Sequence, residues 1–196
     1  MWAYDLAEAL LSDELPRRWA HSQGVARRAH TLAPILGADA ELLEAAAVLH
    51  DVGYSPRITD TGFHPLDGAR FLRNVEHVDE RVVRLVAHHS CALLEAEERG
   101  LREELETEFP LEVPHLVDAL IYCDMTTTPD GTPTTTPARI AEIVGRYGPD
   151  SIVGRFIRRA EPEIHAAAQR VENRLSLAAP RPNRCTAEDG QGQGRG

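Results

Sequence analysis

The sequence predicts an all-α fold, and three observations carry that prediction. Apolar residues recur at three- and four-residue steps, as in Val25, Ala29, Leu32 and Leu36. Proline, glycine and short polar residues punctuate these runs where helices start and stop. No stretch alternates apolar and polar residues between hairpin turns, so no sheet is indicated.

The elements follow in order. Residues 1–11 read as a short amphipathic helix. Ser12, Asp13 and Glu14 offer a cap for the next helix, with Pro16 in its first turn. That helix runs from Pro16 to about Leu36, carries His21, kinks near Pro34 and ends at Gly37. Asp39 is the expected N-cap of an Ala- and Leu-rich helix that ends at His50, Asp51 and Gly53. Its Ala45-Ala46-Ala47 run lets neighbouring helices approach closely. A loop from Ser55 to Gly62 leads to His64 and Pro65, which open a helix to about Val75.

Asp79 caps a helix that ends at His88-His89-Ser90. The Glu-rich stretch from Cys91 to Phe109, with seven glutamates and no apolar seam, reads as one or two exposed helical turns around Gly100. A helix from Val113 to Asp124 follows, then a Thr/Pro/Gly loop from Met125 to Thr136. Two more helices span Pro137 to Tyr147 and Ser151 to about Leu175. Residues 1–175 form the predicted domain, and residues 176–196 the predicted disordered tail.

Composition excludes several functions. With 196 residues, 42% hydrophobic and 27% charged, the chain can bury one core. No run of apolar residues is long enough to span a membrane. No basic start precedes an apolar stretch at the N-terminus, so the expected location is cytoplasmic. The net charge of −10 argues against an extended nucleic-acid surface. It leaves room for a small phosphorylated substrate, because a bound metal supplies local positive charge. All 21 basic residues are arginine, which removes Schiff-base chemistry and a Walker-type lysine. Cys91, Cys123 and Cys185 are far apart and form no CxxC pair; structural thiols are expected.

The chemistry concentrates in His21, His50, Asp51, His64, His88, His89 and Asp124. Apart from His21, these fall at helix ends or in the loops beside them, where a bundle gathers side chains around a cavity. Imidazoles and carboxylates together hold divalent metals. A carboxylate can also bridge two ions, and Asp51, flanked by ligand types, is the natural candidate. An adjacent His-Asp pair alone also fits a cap or a salt bridge, since consecutive helical residues point about 100° apart. The ordered set, one His before the pair and further His and Asp after it, is what points to metal.

The chain here resembles the HD-domain metal-dependent phosphohydrolases, whose pattern is a His, then His-Asp, then a distant Asp. His21 in R-W-A-H-S, His50-Asp51 in A-V-L-H-D-V-G-Y, and Asp124 match it. The resemblance implies an HD-type bundle of about seven to nine helices with the metal site at helix ends. F-H-P-L-D-G-A around His64 and A-H-H-S around His88-His89 are similar to the extra ligands of dimetal members, including the HD-GYP branch. They imply a second ion held by His64 and His88, with Asp51 bridging. Three features depart from that branch: no GYP tripeptide follows the double His, Ser90 stands where a glutamate is expected, and the doublet segment has Tyr54 and then Arg57 in place of a lysine.

The resulting expectation is hydrolysis of a phosphoester in a nucleotide-like or other small phosphorylated metabolite. The cofactor is one or two divalent ions (manganese, iron, cobalt, nickel, zinc or magnesium). His21, His50, Asp51 and Asp124 would hold one ion, and His64 and His88 would hold the other with Asp51. His89 is the candidate proton donor to the leaving oxygen. Arg57 is the first choice for a substrate phosphate, ahead of Arg17, Arg18 and Arg139. Asp67 is a candidate partner for His64. Two alternatives share the ligands: a di-iron oxygenase of HD type, and a metal-stabilised nucleotide-sensing or partner-binding module. Oligomeric state is open.

Overall fold

The computed structural model describes residues 2–179. The chain is all-helical across them, as the periodicity requires, apart from one isolated bridge between Thr127 and Pro133. The elements are α1 (Trp2–Leu11), α2 (Pro16–His30), α3 (Ala33–Leu36), α4 (Ala40–Leu49), α5 (His64–Asn74) and α6 (Glu80–His88). They continue as α7 (Ala92–Arg99), α8 (Arg102–Glu108), α9 (Pro114–Met125), α10 (Thr136–Tyr147) and α11 (Ile152–Ala178). No helix among the described residues is long and apolar enough to cross a membrane. The tail expected over residues 176–196 lies almost wholly outside the described residues.

Helix α4 is the central element. Its Ala46, Ala47, Val48 and Leu49 are fully buried, and it packs against α1, α2, α6 and α9. The alanine run is what permits that crowding: small side chains let four neighbours approach one helix. A second apolar cluster joins α9 to α10 and α11 through Ile121, Ile140, Phe156 and Ile164. Glycine makes two close approaches possible. A Cβ on Gly53 would lie 2.0 Å from the His64 carbonyl, so only glycine lets the turn after α4 press against the start of α5. A Cβ on Gly24 would lie 2.5 Å from Gly131 Cα, which fixes the Met125–Thr136 loop on α2.

Several boundaries differ from expectation. The long second helix is two helices, α2 and α3, separated at Thr31–Leu32, because Pro34 cannot continue the α2 ladder. Ser12, Asp13 and Glu14 do not cap α2; Leu15 holds that position without a side-chain bond. Asp39 does occupy the N-cap position of α4, but its side chain makes no cap bond and accepts from Arg81 Nη1 at 2.8 Å instead. Asp79 does cap α6, accepting from the Arg81 N–H. The Glu-rich stretch is more ordered than its composition suggests. It forms α7 and α8 around a left-handed Gly100, with Ala96, Leu105 and Phe109 fully buried. Glu95, expected on a solvated face, is 5% exposed and pairs with Arg99 at 2.6 Å.

Candidate metal centre

Six side chains converge where the central helices end. His21 lies mid-way along α2, His50 caps the C-terminus of α4, and Asp51 follows it. His64 opens α5, His89 follows α6, and Asp124 sits in the last turn of α9. All six are at most 9% exposed.

Backbone carbonyls fix three of the imidazoles. His21 Nδ1–H donates to Thr128 O at 2.9 Å, His50 Nδ1–H to Ala47 O at 2.7 Å, and His89 Nδ1–H to Val86 O at 2.7 Å. A carbonyl oxygen only accepts, so in each neutral ring Nε2 is left as a bare lone pair. Those lone pairs face carboxylates. His21 Nε2 is 2.9 Å from Asp124 Oδ1 and 3.9 Å from Asp51 Oδ2. His50 Nε2 is 3.3 Å from Asp51 Oδ2 and 3.9 Å from Asp124 Oδ1. On the other side, Asp51 Oδ1 is 3.5 Å from His64 Nε2 and 3.9 Å from His89 Nε2, and the two histidine nitrogens are 3.0 Å apart.

Lone pairs aimed at lone pairs repel unless a proton or a cation lies between them. The His50 Nε2 atom is fully buried and makes no hydrogen bond. That orphaned acceptor beside two carboxylates fits a divalent ion. Two groups of ligand atoms satisfy the same test, with all atoms within 4.8 Å of one another: His21, His50 and Asp51, and Asp51, His64 and His89. Asp51 belongs to both.

The electrostatics keep His64, His89, Asp51 and Asp124 in ligand form, and act the other way on His50. Burial holds His64 well below the usual imidazole range, helped by the neighbouring His89. Burial likewise pushes His89 down to about 4, with His50 adding to it. For His50 burial acts the same way, but Asp51 and Asp124 outweigh it and raise the ring. Burial opposes ionisation of Asp51, yet the Arg18 guanidinium and His50 hold its carboxyl well below the usual range. Asp124 is lowered too: against burial, the neighbouring His21 and His50 rings win.

Strain builds one side of the site. Ser90 and Cys91 have φ of 48° and 63°, the left-handed region that side chains other than glycine avoid. This double turn swings the His89 ring inward and lets the Ser90 hydroxyl donate to Asp124 Oδ2. Strain of this kind persists only where the surroundings over-determine it.

Three expected residues do other work. His88 points away from the cluster; its Nε2–H donates to Phe109 O at 2.5 Å, and His89 takes the place beside His64 expected of it. The reason is the turn after α6, which rotates the second histidine of the pair, rather than the first, toward Asp51. Arg57 is exposed and donates to Ala9 O at 2.8 Å, remote from the cavity. Asp67 does not partner His64; its carboxylate accepts from the N–H groups of Asp60, Thr61 and Gly62 and shapes that loop. Burial pushes the Cys91 thiol up to about 12 and raises Cys123 further, so neither is a thiolate nucleophile at neutral pH. Cys185 is outside the described residues.

Arginines placed low by sequence prove central. Arg18 Nη1 donates to Asp51 Oδ2 at 2.7 Å, and its guanidinium lies 3.9 Å from the centroid of the Tyr54 ring. Tyr54 in turn stacks on His64 with centroids 3.8 Å apart. The signal was available: Arg18 precedes His21 by three residues on one helix, so both lie on the same face. A cavity opens beside the cluster, lined by Asp51, His64, His89 and Asp124 and also by Arg18, Arg139 and Arg146. Glu95 also lines it.

Comparison with known proteins gives a family and two relatives. A family model described as the HD domain matches residues 18–146. The chain is 41% identical over 70 residues to a protein named Ribonuclease Y from Rubrobacter xylanophilus, covering 36% of this chain and 14% of that protein. It is 28% identical over 152 residues to Ribonuclease Y from Rhodopirellula baltica, covering 78% of this chain and 23% of that one. The chain therefore spans less than a quarter of the length of these curated relatives. No solved structure matches.

Proposed function

The chain belongs to the HD-domain family, and on that premise we propose that it is a metal-dependent phosphohydrolase acting on a small phosphorylated substrate. The observation that carries this reading is the sharing of Asp51 by two imidazole groups. His21, His50 and Asp51, with Asp124 beside them, would hold one divalent ion. Asp51, His64 and His89 would hold a second. Bound there, the ions supply Lewis-acid polarisation of a phosphoryl oxygen and an acidified water.

The protein's own groups do the rest. The carbonyls of Thr128, Ala47 and Val86 hold three imidazoles with Nε2 inward, so the ligand geometry is set before substrate arrives. Arg18 offsets the charge of Asp51 and carries a positive charge into the cavity. His89, grouped with the ligands, is no longer the best proton donor to the leaving oxygen. Glu95 takes that role: it lines the same cavity, and burial raises its carboxyl pKa against the pull of Arg99.

The relatives' name supports a second reading, hydrolysis of a phosphodiester in RNA. The chain's charge of −10 favours a short substrate over a long strand. One experiment separates these readings from the oxygenase and the sensor. Metal-stripped protein is reloaded with each divalent ion in turn and offered p-nitrophenyl phosphate, mononucleotides and a short RNA. Chelator-sensitive cleavage that disappears in Asp51→Ala is expected. Oxygen consumption without cleavage would favour the oxygenase, and tight nucleotide binding with no turnover under any metal would favour the sensor.

A further inference from the structure

Arg139 is buried without being fully bonded. Its side chain is 5% exposed, and Nη1 donates to Glu142 Oε2 at 2.5 Å. Its Nε is fully buried with no hydrogen-bond partner. A guanidinium left short of acceptors is costly, and such donors in natural proteins have a reason. The position supplies one. Arg139 lines the cavity beside the metal centre, and it also lines a second cavity together with Leu15, Pro16, His21 and Pro129. Arg18 and Arg146 line both cavities as well. Three guanidinium groups therefore form the wall common to the two spaces.

Their existing partners use only part of their donor capacity. Glu142 accepts from Arg139 Nη1 and faces Arg146 Nε at 3.2 Å. Arg18 gives Nη1 to Asp51. With five N–H donors on each guanidinium, most are left for something else. Between Arg139 and Arg146 the charge is unbalanced: two guanidinium groups face the one carboxylate of Glu142, while Asp51, Glu95 and Asp124 lie on the metal-centre cavity and Glu14 on the other. Planar forked donors gathered along one wall match the oxygens of a phosphate.

We propose that Arg139, with Arg18 and Arg146, binds a second phosphate group of the substrate, next to the one held at the metal centre. The substrate is then a small molecule bearing two phosphate groups, which enters with one at Asp51 and the other on the arginine wall. This rests on the phosphohydrolase reading for the first phosphate only; the arginine subsite stands without it.

Two measurements test this, and they fail separately. In metal-stripped full-length protein, inorganic phosphate is titrated by calorimetry. One site is expected, weakened at least about tenfold in Arg139→Gln and in Arg146→Gln, the loss of one charge-assisted hydrogen bond. Arg146 is on the surface of α10, so its variant folds even if the Arg139 variant does not. No phosphate binding, or equal binding in wild type and Arg146→Gln, overturns the subsite. In metal-loaded protein, Arg146→Gln should raise KM for p-nitrophenyl phosphate, which has one phosphate, by less than it weakens binding of a diphosphonate. It should weaken inhibition by methylenediphosphonate at least about tenfold, with free metal in excess. An equal rise in both would place the arginines on the reacting phosphate and overturn the second. Phosphate binding that survives with no turnover under any metal would refute the hydrolase reading and leave the subsite standing.

Discussion

The two halves of the metal centre are built differently. His21, His50 and Asp124 stand in or at the ends of regular helices, α2, α4 and α9, which pack directly on one another. His64 and His89 sit where helices begin or break, one after an irregular loop and the other in a strained left-handed turn. The first half is fixed by the core itself. The second depends on a turn held in an unfavourable conformation and on the close contact at Gly53. Asp51 joins them, and a difference in rigidity should appear as a difference in metal affinity.

The largest effect comes from the residue that belongs to both halves. Asp51→Ala should remove bound metal from both groups and reduce phosphate release to background, measured by elemental analysis and a phosphate assay. Turnover at wild-type level in that variant would refute the shared carboxylate. Next come the halves taken singly. His50→Ala should lose the tighter ion and with it activity, whereas His89→Ala should keep that ion and lose activity by about two to three orders of magnitude. Equal metal loss in the two variants would erase the distinction between the halves.

Acid should separate them by stability. His89 is held neutral in the fold, with its pKa at about 4 against an ordinary 6.5. The unfolded chain takes up the proton first, so its contribution is intact above pH 6.5 and is lost as pH falls toward 4. The full loss is about 3 kcal/mol. His50, raised in the fold, works in the opposite sense. The informative quantity is therefore the slope of the melting temperature of metal-free protein against pH, compared between wild type and His89→Ala. The variant should show the shallower fall; an unchanged slope would mean that His89 is not held neutral.

His88→Ala is a contrast of another kind. It leaves Phe109 O without its donor and should cost about 1–3 kcal/mol by denaturant melting, with metal content unchanged. Loss of an ion there would restore the order of the pair expected from sequence. The smallest effect is a gain. Cys91→Gly relieves a left-handed residue outside the ligand groups and should stabilise the fold by about 1 kcal/mol. A loss would show that Cys91 packing outweighs the strain.

What was legible in the sequence follows the same division. Helical periodicity and the ordered His, His-Asp and Asp pattern located the regular half, because spacing along a helix determines the face a side chain occupies. The irregular half was legible in residue type only. Which of His88 and His89 turns inward depends on the φ of Ser90 and Cys91, which no propensity predicts for those residues. Nearness in sequence to the His-Asp pair favours Arg57 over Arg18. In space the opposite holds, because α2 packs across the end of α4. The composition around Glu95 points to solvent, whereas its burial comes from tertiary packing that local sequence does not encode.

Counting ions is the most direct test of the shared carboxylate. Full-length protein loaded with manganese under excess metal and freed of unbound ion would be assayed by mass spectrometry for metal per chain. Two ions in wild type, one in His89→Ala and none in Asp51→Ala are expected. One ion in wild type that survives unchanged in His89→Ala would contradict a two-ion centre built around Asp51.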